Sequence, residues 1–269
     1  MISASTRVAG LIGDPVRHSL SPVLHNTAYR ELGLDWVYVA FEVPEGRTTA
    51  ALDAVRALEL VGLSVTMPHK EAAAAACDEL SSEASTLRSV NTVTAMPSGR
   101  LRGDSTDGEG FVRALRAAGH DPAGQKALLL GAGGAARAVA LALHRAGATV
   151  HVAARRPDAA AAVPEAVPVA WDQRDSVAAT VDLIVNATPV GMGGGSAVPV
   201  TPSAGVVVAD LVYHPLDTAL LQAARANGCP TVDGLGMLVY QAALQVERWT
   251  SGRAPVDAMR AAAEAALAS

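Results

Sequence analysis

The stretch Ala127-Leu128-Leu129-Leu130-Gly131-Ala132-Gly133-Gly134-Ala135-Ala136 decides the fold. Its four leading apolar residues read as a strand buried on both faces, which is the habit of a parallel sheet. The glycines follow at once, and a helix to about Ala146 follows them. Strand, G-x-G-x-x-A and helix in that order form the dinucleotide-binding fingerprint in its required context. Gly131 makes the tight turn, Gly133 lets the backbone approach a pyrophosphate, and Ala136 is small enough for close helix-strand packing. The next strand, 149–153, runs into Ala154-Arg155-Arg156-Pro157. A protein selective for NAD would place an acid there to accept from the ribose 2′-hydroxyl. Two guanidinium groups instead suit a 2′-phosphate, through charged bidentate hydrogen bonds, and point to NADP. Further strands at 183–186 and 206–210 end in Asn186-Ala187-Thr188-Pro189 and Leu211-Val212-Tyr213-His214-Pro215, two loops expected on the ligand-binding edge of the sheet.

Upstream, the alternation starts again from a different beginning. Residues 7–12 read as a strand, followed by His18-Ser19-Leu20-Ser21-Pro22. Ser21 before Pro22 is a helix-start signal, with Ser21 as the N-cap and the helix closing near Gly33. Ser19 has no capping duty, and two hydroxyls at a helix N-terminus make a small anion site. Strand 35–42, helix 44–60 and strand 61–66 complete a β-α-β-α-β order that implies parallel pairing with crossover helices. Pro68 breaks the chain, an Ala-rich helix follows, and Lys70 lands at the mouth of the strand-to-helix turn, where a small polar substrate would meet it. A lone lysine there is more often a solvated side chain; its neighbours in the motifs below favour chemistry. Residues 90–94 form a further strand, turned at Pro97-Ser98-Gly99 into 101–103. Asn91 in it needs hydrogen-bond partners if buried.

Two glycine-bearing segments read as hinges between domains: Gly103-Asp104-Ser105-Thr106-Asp107-Gly108, with a helix from about Gly110, and Asp233-Gly234-Leu235-Gly236, with a helix from Met237. Gln241 is a polar residue on this mostly apolar last-but-one helix. The whole chain has 269 residues, 50% apolar, with a net charge of −5, enough for one large core or two modest ones. No Lys/Arg run suggests nucleic acid or an anionic membrane. No apolar stretch reads as a signal peptide or a membrane span. Cys77 and Cys229 stand far apart without metal-type spacing, so neither a disulfide framework nor a metal site is expected, which suits a reducing cytoplasm.

Together these motifs resemble the shikimate dehydrogenase family. The carriers are His18 to Pro22, Ser64-Val65-Thr66-Met67-Pro68-His69-Lys70, Val90-Asn91-Thr92, the Gly103 to Gly108 loop and the Gly131 to Ala136 fingerprint. Asn186 to Pro189 and Gly234-Leu235-Gly236-Met237-Leu238-Val239-Tyr240-Gln241 complete the set, in the family's order and across nearly the whole chain. The resemblance implies an α/β protein of two domains. An N-terminal α/β substrate domain on a parallel-type sheet (1–104 with 236–269) would flank a Rossmann-like NADP-binding domain (105–235), with the active site in the cleft between them.

Carried over residue by residue, the resemblance gives Ser19, Ser21 and Tyr213 to a substrate carboxylate. Thr66, Lys70, Asn91, Asp107 and Gln241 would hold ring hydroxyls. Lys70 and Asp107 would be the catalytic pair. Gly131, Ala132, Gly133, Gly134, Ala135, Ala154, Arg155, Arg156, Thr188, Leu211, Gly234 and Met237 would line NADP. Ser64 and Ser105 stand where the family usually carries asparagine. The shorter Ser64 leaves a direct contact to a ring hydroxyl either lost or bridged by water, and the choice between shikimate and quinate open.

The reaction implied is hydride transfer from NADPH to the C3 carbonyl of 3-dehydroshikimate, with a proton delivered to the oxygen. Lys70 would donate that proton, or else orient the carbonyl while Asp107 or water relays it. A broader quinate/shikimate dehydrogenase and a non-catalytic NADP-binding regulator are the rivals. A methylenetetrahydrofolate-type dehydrogenase shares the two-domain plan but not the Ser19, Ser21 and Asn91 set. The partner expected is the small-molecule substrate, and a homodimer remains open.

Overall fold

The computed structural model describes residues 2–268; residues 1 and 269, the outer limits of the expected domain ranges, lie outside the described residues. The chain divides into two compact units, Met1–Thr106 with Gln241–Ser269, and Asp107–Tyr240.

The first unit carries β1 (Arg7–Gly13), α1 (Ser21–Glu31), β2 (Trp36–Glu42), α2 (Thr48–Ala57), β3 (Gly62–Val65), α3 (Lys70–Ala76), β4 (Glu79–Leu80), α4 (Ser82–Leu87), β5 (Thr92–Ala95) and β6 (Leu101–Asp104). Its sheet has the order β2-β1-β3-β5-β6-β4. β1 pairs in parallel with β2 and β3, as the crossover helices require, while the β5-β6 hairpin adds antiparallel pairs. Ile12, Leu63, Val65, Val90 and Val93 pack with Leu52 and Val55 of α2 in its core. On the same unit His25 stacks on Tyr38, ring centroids 4.0 Å apart.

The second unit starts with α5 (Asp107–Ala117) and continues through β7 (Lys126–Leu130), α6 (Gly134–Arg145), β8 (Thr149–Ala153), α7 (Pro157–Ala161), β9 (Val167–Val169), α8 (Arg174–Ala178), β10 (Leu183–Asn186), β11 (Val207–Asp210), α9 (Ala219–Ala226) and β12 (Thr231–Val232). All its strand pairs are parallel, in the order β12-β11-β10-β7-β8-β9. Ala127 and Leu129 face one core cluster and Leu128 and Leu130 the other, which is why β7 is apolar without alternation. The strand order reverses between β7 and β10, so the loops after these two strands flank the switch point where such sheets bind ligands. Last come α10 (Gly234–Thr250) and α11 (Val256–Leu267), the latter packed on α1.

Three local expectations need correction. Ser21 is the first residue of α1 and not its side-chain cap; Ser19 Oγ takes the Ser21 N–H at 3.2 Å, so Ser19 does serve the helix start. α5 begins at Asp107, three residues before the expected Gly110, so Asp107 sits in its first turn. The Asp233–Gly236 segment is no loop: α10 runs unbroken from Gly234, with Asp233 Oδ1 accepting the Gly236 N–H at 3.1 Å. Gly234 is needed for packing, because a Cβ there would stand 2.5 Å from the carbonyl oxygens of Leu211 and Val212.

Candidate active site

In the first unit the candidate residues gather where β1 and β3 end and β5 begins. Thr66 N–H donates to Ile12 O at 3.0 Å and Asp14 N–H to Met67 O at 3.0 Å, lacing the loop after β3 to the end of β1. Gly13 admits this approach, since its Cβ would meet Thr66 Cγ2 at 2.4 Å. Lys70, half-buried, opens α3, and its carbonyl accepts the Val90 N–H at 3.0 Å, which brings Asn91 beside it. His69 secures the approach to Lys70. Its Nε2 donates to Val43 O at 2.7 Å, and its Nδ1 lies 2.9 Å from Thr48 Oγ1. Both ring nitrogens are thus used.

Asn91 is 4% exposed, and its Oδ1 accepts from the Thr106 N–H at 2.8 Å and from Thr92 Oγ1 at 2.8 Å. Its Nδ2 donates to Thr106 Oγ1 at 2.9 Å, so the amide orientation is fixed and Thr106 is held immediately before the buried Asp107. Ser19 Oγ donates to Ser21 Oγ at 3.1 Å, placing the two hydroxyls together at the start of α1. Gln241 is buried, and one turn on in α10 Gln245 shares its face and reaches Ser64, Asn91 and Thr92. Burial raises the Tyr38 phenol well above its ordinary range, so Tyr38 stays a donor, here to Ser64 Oγ. Sequence reasoning missed the parts played by His69, Tyr38 and Gln245, whose partners are all distant in the chain.

In the second unit the fingerprint loop leaves β7 with Gly131 at φ +110°, where a Cβ would lie 2.9 Å from Ala187 O. Cβ atoms at Gly133 and Gly134 would meet nothing within 4 Å, so there is open space before the N-terminus of α6. Ala132 and Ala135 are half-buried, and Ala136 is fully buried against the sheet. Beyond the loop, Thr188 N–H and Oγ1 both donate to Asn186 Oδ1, at 3.0 and 2.7 Å. Ala154 is buried at the end of β8, whereas Arg155 and Arg156 are exposed, and among the described residues neither guanidinium has a hydrogen-bond or ion-pair partner. Leu211 N–H donates to Asn186 O at 3.0 Å, carrying the chain from β11 towards half-buried Tyr213, whose phenol is raised by burial. Gly234 packs under that turn, and Met237, half-buried in the first turn of α10, joins the core of this unit.

Comparison with known proteins decides what these two constellations belong to. The family model described as the shikimate dehydrogenase substrate binding domain matches residues 11–93, and that of the shikimate 5′-dehydrogenase C-terminal domain matches 234–264. The shikimate dehydrogenase (NADP(+)) of Methanopyrus kandleri is 45% identical, over 97% of this chain and 96% of that one. The chain belongs to the shikimate dehydrogenase family. Shikimate 5-dehydrogenase of Thermus thermophilus, solved with NADP(H) and shikimate, superimposes with a TM-score of 0.89 at 40% identity, covering 97% of this chain and 99% of that one. Quinate dehydrogenase of Corynebacterium glutamicum, solved with NAD, gives a TM-score of 0.91 at 32% identity, over 97% of this chain and 99% of that one. Ser19, Ser21, Ser64, Thr66, Lys70 and Asn91 fall within the matched substrate-binding segment, and Gly234, Met237, Gln241 and Gln245 within the C-terminal one.

Proposed function

We infer that this chain is an NADP-dependent shikimate dehydrogenase, catalysing the reversible reduction of 3-dehydroshikimate to shikimate on the way to chorismate and the aromatic amino acids. The observation that carries the reading is end-to-end similarity to enzymes of that name, at 39–45% identity among eight relatives. The unit Met1–Thr106 with Gln241–Ser269 would hold the substrate, and Asp107–Tyr240 would hold NADP.

The residues present fit that cofactor. The space before Gly133 and Gly134 suits a pyrophosphate at the N-terminus of α6, where backbone N–H groups and the helix dipole favour an anion. Arg155 and Arg156, in the turn after the strand next to the fingerprint and unpartnered among the described residues, are free to take the 2′-phosphate. Ala132, Ala135, Ala154, Thr188, Leu211, Gly234 and Met237 would line the remainder. When bound, NADPH supplies the hydride that reduces the C3 carbonyl carbon.

Lys70 holds a proton at the carbonyl oxygen and releases it there during reduction; in the reverse direction it takes the proton back. Asp107 is its catalytic partner and a hydrogen-bond acceptor for the reacting hydroxyl. Ser19, Ser21 and Tyr213 donate to the substrate carboxylate, while Thr66, Asn91 and Gln241 pair the other hydroxyls. Each such pairing makes an analogue lacking that group a poor substrate, since a buried partner is left unanswered. The reading carries with it a cytoplasmic location, in keeping with free thiols at Cys77 and Cys229, and a homodimer, which light scattering on the purified protein would test. Mixing the enzyme with 3-dehydroshikimate and NADPH should bleach the NADPH absorbance and yield shikimate by mass spectrometry. An unchanged absorbance would refute the assignment.

A further inference from the structure

A run of buried hydrogen bonds crosses the first unit from Tyr38 to Asn91, and its middle members, Ser64 and Gln245, have no part in the chemistry above. Tyr38 Oη donates to Ser64 Oγ at 2.6 Å, and Ser64 Oγ donates to Gln245 Oε1 at 2.6 Å. Gln245 Nε2 donates to Thr92 Oγ1 at 3.0 Å and to the backbone oxygen of Asn91 at 3.3 Å. Thr92 Oγ1 passes the same polarity to Asn91 Oδ1 at 2.8 Å.

The direction of this run is fixed at one point. A backbone carbonyl can only accept, so Asn91 O holds the amide nitrogen of Gln245 on its side and leaves the amide oxygen facing Ser64. That oxygen also only accepts, so the single proton of Ser64 is committed to it. Tyr38 must then donate into Ser64. A serine hydroxyl has one proton and two lone pairs. With the proton engaged and one lone pair filled by Tyr38, one lone pair remains. Ser64 is 5% exposed, against 1% each for Tyr38 and Gln245, and it lies one residue from Val65, whose N–H donates to Asn91 O.

We propose that Gln245 is a positioning residue: by holding the Ser64 proton it makes Ser64 an acceptor-only contact for one ring hydroxyl of the substrate. The proposal rests on the shikimate dehydrogenase reading and deepens it. Ser64, so oriented, offers one lone pair and accepts only a hydroxyl that can donate to it. A hydrogen or an ether at that ring position leaves the lone pair unanswered.

The test uses the full chain with NADP and three substrates: shikimate, and the two analogues in which one or other non-reacting ring hydroxyl is replaced by hydrogen. The unaltered enzyme should lose at least about tenfold in kcat/KM with one of the two analogues. Gln245→Leu should raise KM for shikimate about tenfold, change kcat by less than about threefold, and cut the discrimination against that one analogue to about twofold. Ser64→Ala, a smaller change that keeps the fold if Gln245→Leu does not, should abolish the same discrimination and spare that against the other analogue. Discrimination left intact, or an equal loss on all three substrates in both variants, would overturn the proposal. Failure of the unaltered enzyme to oxidise shikimate at all would instead overturn the functional reading on which it rests.

Discussion

Replacing Asn91 by alanine should loosen the start of α5 far more than removing its neighbour's hydroxyl. Asn91 Oδ1 is the acceptor for the Thr106 N–H at 2.8 Å, and both residues are buried, so Asn91→Ala strands a backbone donor. A stranded buried donor costs about 1–3 kcal/mol, and the lost Nδ2 bond to Thr106 Oγ1 adds about 1. Thr92 Oγ1 has a second partner in Thr106 Oγ1 at 3.3 Å and adds little. The sum is about 3 kcal/mol, which is about a 100-fold loss of hydrogen-exchange protection. Thr106→Ala keeps the N–H to Oδ1 bond and should lose about tenfold or less. Native-state amide exchange over residues 101–110 reads the difference directly. In the double variant the loss should fall short of the sum of the two single losses, because the bonds between Asn91 and Thr106 are removed only once. Protection in Asn91→Ala within about threefold of the unaltered chain, or simple addition of the two single losses, would refute the reasoning.

Other consequences follow from the same geometry. Lys70→Ala should lose at least about 100-fold in kcat while its Kd for NADPH, measured by fluorescence titration, stays nearly constant; near-normal turnover would remove Lys70 from the chemistry. Converting Arg155 and Arg156 together to glutamine should weaken NADPH by about 10- to 100-fold and leave NADH almost untouched, with equal loss for both refuting the 2′-phosphate role. Desolvation lowers the pKa of the buried His25 from 6.5 to about 4, against weaker raising contributions from Ser21 O and Gln245. The unfolded chain therefore binds the proton first, and stability is lost as pH falls from about 6.5 to about 4, by up to about 3 kcal/mol. His25→Gln should flatten that part of the pH–stability profile, and an unchanged slope would show that another group titrates there.

How far the sequence discloses this molecule depends on how local each determinant is. The Gly131 to Ala136 fingerprint needs only its flanking strand and helix, and β7 and α6 fall where the periodicity and glycines put them. The strand before Lys70 and the hairpin at Pro97-Ser98-Gly99 are equally self-contained. Two-residue strands such as β4 and β12 carry too few side chains to leave a pattern, and their existence depends on a neighbour offering an edge. At Gly234 the sequence suggests a hinge, whereas the carbonyls of Leu211 and Val212 demand a residue without a Cβ inside a continuous helix. Gln245 is the clearest omission. Its partner Ser64 is 181 residues away, so only the folded chain reveals why an apolar helix carries two glutamines one turn apart. Ser21 reads as a cap by its type and its following proline, but the helix starts after Leu20 without a side-chain cap, and Ser19 Oγ accepts the Ser21 N–H and donates to Ser21 Oγ.

The measurement that bears most directly on the whole account is a four-way grid of initial rates, shikimate or quinate against NADP or NAD, followed at the absorbance band of the reduced nicotinamide. Oxidation of shikimate with NADP should exceed each other combination by at least about tenfold in kcat/KM, because the 2′-phosphate and the ring pattern each add a charged or buried pairing. Quinate with NAD equalling or surpassing that pair, or no turnover in any combination, would contradict it.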